Sequence, residues 1–108
     1  MIELWGLKTC DTCRKALKEI QAAGKEAEIA DIREGLDAAR LARWLEAAGA
    51  EALVNRKSTT WRGLSEADRA QAPATLLLAH PALVKRPVIE HEGRVLVGWD
   101  AASRAALL

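Results

Sequence analysis

The sequence has neither an excess of one charge nor a long apolar run. Lys and Arg number 16 against 15 Asp and Glu, so the formal net charge is +1 and bulk electrostatics give no reason to expect direct binding to nucleic acid. No apolar segment reaches the roughly 20 residues that a membrane-spanning helix needs. The N-terminus carries Glu3 and lacks a basic segment followed by an apolar run, so no secretory signal is predicted. We therefore expect a cytoplasmic protein that does not contact membranes.

Potential metal ligands are equally scarce, since the chain has two cysteines and two histidines. A structural disulfide is not expected in a reducing cytoplasm. A structural zinc site needs about four ligands, and His80 and His91 stand at spacings that match no usual zinc pattern. We therefore predict no metal site and interpret Cys10 and Cys13 as a reactive pair. The alternative is a pair of inert cysteines buried in a helix.

The cysteine pair lies between a predicted strand and a predicted helix. Residues 1–6 alternate as in a half-buried strand, and apolar residues after the pair recur at helical spacing through Ala23. The first amides of a helix have no acceptor within it, so a thiolate is favoured at its start. Cys10, nearest the helix start and flanked by Lys8, is predicted to have the lower pKa and to be the nucleophile. Cys13, one turn deeper, is predicted to be the resolving thiol.

The rest of the chain indicates an α/β protein. The first helix stops at Gly24 and is followed by a predicted strand at 27–31. The middle of the chain is predicted to hold a helix capped by Asp37 and ended by Gly49, a helical turn at 51–54, a loop at 55–63, a turn capped by Ser65 and a helix from Pro73 to about residue 79. The C-terminal part is predicted to form a hairpin of strands 88–90 and 94–97 with its turn at 91–93, and a last helix capped by Asp100. A strand, a helix and a second strand in succession predict a right-handed parallel crossover. Half of the residues are hydrophobic and 29% are charged, which suits a single globular domain over residues 1–108.

Several segments together resemble one known family. They are Trp5-Gly6, Cys10-Asp11-Thr12-Cys13-Arg14-Lys15-Ala16, Asn55-Arg56, Thr59-Thr60-Trp61-Arg62, His80-Pro81, Lys85-Arg86-Pro87-Val88-Ile89 and Val97-Gly98-Trp99. In order and spacing they resemble the ArsC/Spx/YffB family of arsenate reductase-like proteins over essentially the whole chain, and the YffB branch most. The resemblance implies a thioredoxin-like fold, a mixed four-stranded sheet with flanking helices and a helical insertion at roughly 36–80. It also implies a redox cysteine at Cys10, anion-binding arginines at Arg56 and Arg86, and a cis peptide bond between Arg86 and Pro87.

The leading hypothesis is a thiol-disulfide oxidoreductase that uses glutathione as co-substrate and holds no bound cofactor. Cys10 would attack a disulfide and Cys13 would resolve the intermediate, forming a redox-active disulfide. Arg56 and Arg86 would hold a carboxylate of glutathione or a developing anion. Glutaredoxin is a further candidate partner. The candidate substrate-contacting residues are Lys8, Thr9, Thr12, Arg14 and Pro87.

Two alternatives stay open. Arsenate reductases resemble this chain at Cys10, Arg56 and Arg86. Their third oxyanion-binding arginine falls about where this sequence has Val97-Gly98, and a tetrahedral oxyanion gains strongly from several charge-assisted bonds. Spx regulators, which bind RNA polymerase, share the C-x-x-C pattern and suggest a redox switch built on the cysteine pair. They resemble this chain less around Trp61 and run longer at the C-terminus.

Overall fold

A computed structural model describes all residues from Met1 to Leu108. The strands are β1 (Ile2–Gly6), β2 (Ala27–Asp31), β3 (Val88–His91) and β4 (Arg94–Val97). The helices are α1 (Asp11–Ala22), α2 (Ile32–Gly35), α3 (Ala38–Ala48), α4 (Ala50–Leu53), α5 (Thr59–Arg62), α6 (Glu66–Arg69), α7 (Pro73–Ala79) and α8 (Ala101–Leu107), with a 3-10 turn at Pro81–Leu83. No helix is both long enough and apolar enough to cross a membrane.

The chain divides into two compact units. The first comprises Met1–Ile32 and Arg86–Leu108, and the second comprises Arg33–Lys85. The helical insertion expected at roughly 36–80 falls within the second unit, whose regular elements are helices. The expectation of one domain over residues 1–108 stays a prediction.

The first unit contains the whole sheet, in the order β2-β1-β3-β4. β1 pairs with β2 in parallel, whereas β1 with β3 and β3 with β4 are antiparallel, which confirms the mixed four-stranded sheet and the parallel crossover. The hairpin turn is one residue shorter than predicted, because His91 is still in β3 and pairs with Arg94. Glu92 and Gly93 both have positive φ, at 49° and 77°, as in a two-residue turn that follows the twist of the strands.

The core of the first unit lies between the sheet and two helices. Its buried members are Ile2, Leu4, Ala16, Ile20, Ile89 and Leu107, with Leu17, Ala27, Ile29, Leu96 and Trp99 packed against them. On α1, Cys13, Ala16 and Ile20 are the buried residues, spaced by three and four positions on one face. The face that buries the core therefore also carries one of the two cysteines.

Polar contacts join α1 to the C-terminal segment. The indole Nε1 of Trp99 donates to the Glu19 carboxylate, and Arg104 of α8 forms an ion pair with the same carboxylate at 3.2 Å. After the end of α1, the Lys25 ammonium donates to the carbonyl of Leu107. The helix that carries the cysteines is thus attached to α8 by side chains on its solvent side as well as through the core.

The second unit confirms the predicted caps and corrects one loop. Asp37 caps α3 by accepting from the amide of Arg40 at 2.8 Å, and α3 ends at Gly49 with φ of 83°. The segment predicted as an irregular loop at 55–63 contains α5, so that prediction is partly wrong. Ser58 caps α5 by accepting from the Trp61 amide at 3.1 Å, and such local capping can form a helical turn without an apolar stripe.

Candidate active site

Cys10 is the residue at which the loop after β1 becomes α1. It is the N-cap of that helix, with an extended backbone at φ −82° and ψ 122°, and no side-chain hydrogen bond caps the helix there. Its amide donates to the carbonyl of Leu7 at 3.0 Å, and its own carbonyl accepts from the Arg14 amide at 3.0 Å. The sulfur is therefore placed beside the unpaired amides of the first helical turn, as the sequence predicted.

The surroundings of Cys10 favour its thiolate. Burial raises its pKa, but the Cys13 amide and thiol, the charge of Arg86 and the Thr12 amide all lower it, and the balance leaves the pKa of Cys10 below the ordinary thiol value. Hydrogen bonds to an anion and a nearby cation both stabilise the charged form. The cation among these causes is Arg86, and the effect expected from Lys8 stays a prediction.

Cys13 has the opposite electrostatic balance. Its side chain is fully buried, and burial, partly offset by a hydrogen bond from the Leu7 backbone and by Arg86, combines with the adjacent Cys10 to raise the pKa of Cys13 to about 11. At neutral pH Cys13 is therefore a thiol that donates to the Cys10 sulfur. The two cysteines of one helical turn thus have clearly different protonation preferences.

Gly6, the last residue of β1, provides the space for the Cys13 sulfur. A Cβ built on Gly6 would lie 2.3 Å from Cys13 Sγ, 3.5 Å from Cys13 Cβ and 3.8 Å from Arg86 Cβ. Carbon and sulfur atoms do not approach to 2.3 Å without a bond, so no larger residue fits while Cys13 stays in place. Sequence reasoning assigned Gly6 no role; its only signal was its place in the Trp5-Gly6 segment.

Arg86 and Pro87 directly precede β3, and their peptide bond is cis, as the resemblance implied. Arg86 is partly buried and Pro87 is buried. The carbonyl of Pro87 accepts from the Gly98 amide at 2.8 Å, so it is already bonded within the sheet region. Arg86 was predicted as a site residue although it is far from the cysteines in the sequence. In the structure its charge lowers the pKa of both Cys10 and Cys13.

The other predicted substrate contacts of the first unit surround Cys10 in the chain. Lys8, Thr9, Thr12 and Arg14 are all exposed. Arg14 forms an ion pair with Asp11 at 2.7 Å, and Thr12 contributes its backbone amide to the Cys10 sulfur. Their assignment as substrate contacts stays a prediction.

Arg56 lies in the second unit and has its own partners there. Its guanidinium is 3.3 Å from a carboxylate oxygen of Glu51, with 44% of the side chain exposed. It also lies over the ring of Trp61, at 5.5 Å from the centroid, and Arg69 lies over the same ring at 5.4 Å. Such cation-π contacts orient a guanidinium without neutralising it. Anion binding by Arg56 stays a prediction.

A metal centre is not evident among the described side chains. No group of three or more His, Cys, Asp or Glu residues could hold a metal ion, and Cys10 and Cys13 are free thiols. The chemistry that the site offers is accordingly that of a thiolate and a thiol beside a guanidinium.

The sheet order, the flanking helices and the cysteines at the start of α1 define a protein of thioredoxin-like fold with a helical insertion. Residues 5–107 match the model of the ArsC family, and the chain belongs to that family. It is 38% identical to an uncharacterised protein of Haemophilus influenzae over 105 residues, covering 93% of this chain and 92% of that one.

Solved structures agree with this assignment. A YffB protein is 36% identical, with a TM-score of 0.90 over 100% of this chain and 99% of that one, in agreement with the resemblance to the YffB branch. An arsenate reductase (ArsC) related protein from Brucella melitensis is 38% identical, with a TM-score of 0.77 over 97% of this chain and 92% of that one.

Proposed function

We propose that the protein is a thiol-disulfide oxidoreductase with glutathione as its co-substrate. The observation that carries this proposal is the opposite direction of the pKa shifts of Cys10 and Cys13 within one helical turn. Cys10 has a lowered pKa at the start of α1, whereas Cys13, one turn on, is buried with a pKa raised to about 11. A thiolate is the nucleophile of disulfide exchange, and a neighbouring thiol is what completes a two-cysteine cycle.

The first step is attack of the Cys10 thiolate on a substrate disulfide. A bond forms between Cys10 Sγ and one substrate sulfur, the substrate S–S bond breaks, and the other sulfur leaves as a thiolate that takes a proton from water. Arg86 stabilises the Cys10 thiolate before attack. It also lies where negative charge is shared between three sulfurs during exchange, which is a preorganised electrostatic contribution.

The second step is attack of Cys13 on the mixed disulfide. The Cys13 thiol must first lose its proton to water, and two of the causes that raise its pKa are its hydrogen bond to Cys10 and the Cys10 charge. Both disappear once Cys10 Sγ is bonded to a substrate sulfur, because that sulfur no longer carries charge. Cys13 then bonds to Cys10 Sγ and expels the substrate thiolate, and two molecules of glutathione reduce the resulting disulfide while forming one glutathione disulfide.

In this scheme the guanidinium groups of Arg86 and Arg56 bind the negative charges of the substrate. Arg86 is proposed to hold a carboxylate or the leaving thiolate, since it already acts on both sulfurs. Arg56 is proposed as a second anion-binding residue; its charge is oriented by Trp61 and Glu51. The proposal for Arg56 rests on the family resemblance as well as on these contacts.

The test combines thiol titration, mass spectrometry and turnover. The rate of Cys10 alkylation against pH should give a pKa below that of free cysteine, and a small disulfide should be reduced at the expense of glutathione. After equilibration with glutathione disulfide, a glutathione adduct should accumulate on Cys13→Ser and not on the wild type. Turnover that persists in Cys10→Ser, or an ordinary Cys10 pKa together with no turnover, would refute the proposal.

Arsenate reduction is a second candidate because of the similarity to the arsenate reductase related protein of Brucella melitensis. We expect little or no activity, since β4 ends at Val97 and Gly98 follows it, and the resemblance to arsenate reductases calls for a third arginine about there. The assay supplies arsenate, glutathione and glutaredoxin to the wild type and to Arg86→Gln. Efficient arsenate reduction that depends on Arg86 would replace the disulfide as the proposed substrate.

A further inference from the structure

A groove runs beside the cysteine site, between α1 and β2. It has a volume of about 440 Å³ and is lined by Lys8, Arg14, Leu17, Gln21, Ala27, Glu28 and Ile29. Lys8 is two residues from Cys10, and Arg14 is on the first turns of α1, so this end of the groove adjoins the nucleophile. We call it the α1-β2 groove.

Part of the β2 backbone faces away from β1 along this groove, and the Ala27 carbonyl there accepts from the Gln21 side-chain amide at 3.4 Å. β2 is the end strand of the sheet, and the amide of Ile2 donates to the Glu26 carbonyl at 2.9 Å while Ile2 stands opposite Ala27. In a parallel ladder only alternate residues bond to a given neighbour, so the amide and carbonyl of Ile29 point away from β1. An extended peptide can pair with such an edge.

The charge around the Cys10 end is concentrated and positive. Lys8 and Arg14 line the groove there, and an adjoining depression of about 470 Å³ shares Arg14 and Leu17 with it and adds Lys15 and Lys18. The one acidic residue of that depression is Asp11, which pairs with Arg14. With Glu28 of the groove included, the residues lining the two depressions carry four positive and two negative charges, an excess of two, whereas the whole chain has a net charge of +1.

We propose that the α1-β2 groove binds an extended, acidic segment of a protein substrate, next to the cysteine that Cys10 attacks. This inference rests on the proposed function and adds the class of substrate. The segment pairs with the outward backbone of Ile29, an apolar side chain contacts Leu17, and carboxylates meet Lys15 and Lys18. Charge complementarity of this kind acts mainly on encounter and on partner choice.

The kinetic test uses short peptides with one cysteine, blocked as a disulfide with neutral mercaptoethanol. The peptides differ only in flanking residues, which are Glu, Gln or Lys. We expect kcat/KM for the Glu peptide to exceed that for the Lys peptide by about tenfold at low salt and to lose most of that margin at high salt. Equal values for the three peptides would overturn the proposal.

Charge reversal locates the effect. Lys15→Glu/Lys18→Glu should lower kcat/KM for the Glu peptide by about fivefold or more. Arg94→Glu is the matched control, because Arg94 is exposed on β4, at the opposite edge of the sheet, and it should have little effect. Reduction of the small neutral hydroxyethyl disulfide should be unchanged in all three proteins. If the wild type does not reduce hydroxyethyl disulfide at all, the proposed function itself is refuted.

Amide exchange tests the pairing with β2. In Cys13→Ser, the Glu peptide can be trapped as a mixed disulfide on Cys10. Exchange of the Ile29 amide should slow by about tenfold or more in the trapped complex relative to the free protein. Unchanged exchange would overturn the proposal. A second result would also overturn it: slow exchange of the Ile29 amide in the free protein at concentrations where sedimentation shows a dimer. In that case a second copy of the chain would occupy the edge of β2.

Discussion

Substitution of Gly6 by alanine should destabilise the reduced protein through a single contact. The new Cβ would lie 2.3 Å from Cys13 Sγ, whereas ordinary contacts begin at 3.4 Å, so the atoms would have to separate by about 1.1 Å. β1 and α1 are both packed in the core, and overpacking of such a site costs about 1 to 3 kcal/mol. The backbone at Gly6 is not in the left-handed region, so no conformational penalty adds to this cost.

Cys13→Ala provides the matched background for Gly6→Ala. Without Sγ, the shortest remaining contact of the new Cβ is 3.5 Å to Cys13 Cβ, which is ordinary. In urea titrations under reducing conditions, Gly6→Ala should therefore lower the free energy of unfolding by about 1 to 3 kcal/mol in the wild type and by little in Cys13→Ala. Equal losses in the two backgrounds would refute the steric argument.

Three further predictions concern the charges around the site. Arg86→Gln should raise the pKa of Cys10, so alkylation at neutral pH slows and recovers as the pH rises, while Arg86→Lys should retain more of the effect. The pKa of Cys13 is raised from 9.0 to about 11 in the folded protein, so as the pH rises the unfolded chain releases the Cys13 proton before the folded protein does. Between pH 9.0 and about 11 the free energy of unfolding should therefore fall more steeply for the wild type than for Cys13→Ala, as measured by denaturant titrations at several pH values. Glu19→Gln should lower the free energy of unfolding by about 1 kcal/mol, since the Trp99 indole keeps an acceptor and only the ion pair is lost; no change in thermal unfolding would contradict this.

The sequence predicts elements whose cause is local. The first helix, the parallel strand after it and the C-terminal hairpin follow from apolar spacing, and the caps at Asp37 and Asp100 follow from side chains that accept from amides three residues on. The helix α5 was not predicted because Thr59–Arg62 has no buried residue. Its turn is held by the Ser58 cap and by contacts of Trp61 with guanidinium groups, which apolar periodicity does not record.

In the candidate site, too, the sequence predicts features with a local cause and misses those that depend on the folded chain. The lower pKa of Cys10 relative to Cys13 was predicted, because it depends on their positions within one helical turn. For Cys10 the sequence indicated Lys8, a neighbour along the chain, whereas Arg86, which lowers the pKa of Cys10, is a neighbour only in the folded chain. The need for Gly6 was missed, since the effect of an absent Cβ depends on which side chain comes to lie beside it.

The attachment of α1 to the C-terminal segment has a consequence for synthesis of the protein. The hydrogen bond from Trp99 to Glu19 joins residues 80 positions apart. At translation rates of about 5 to 20 residues per second, roughly 4 to 16 s separate the two partners. Until Arg86 has been made, the nascent chain holds both cysteines without the guanidinium that lowers the pKa of Cys10, and α8 is made later still. The surroundings that lower the pKa of Cys10 are therefore complete only after residue 86 has been made.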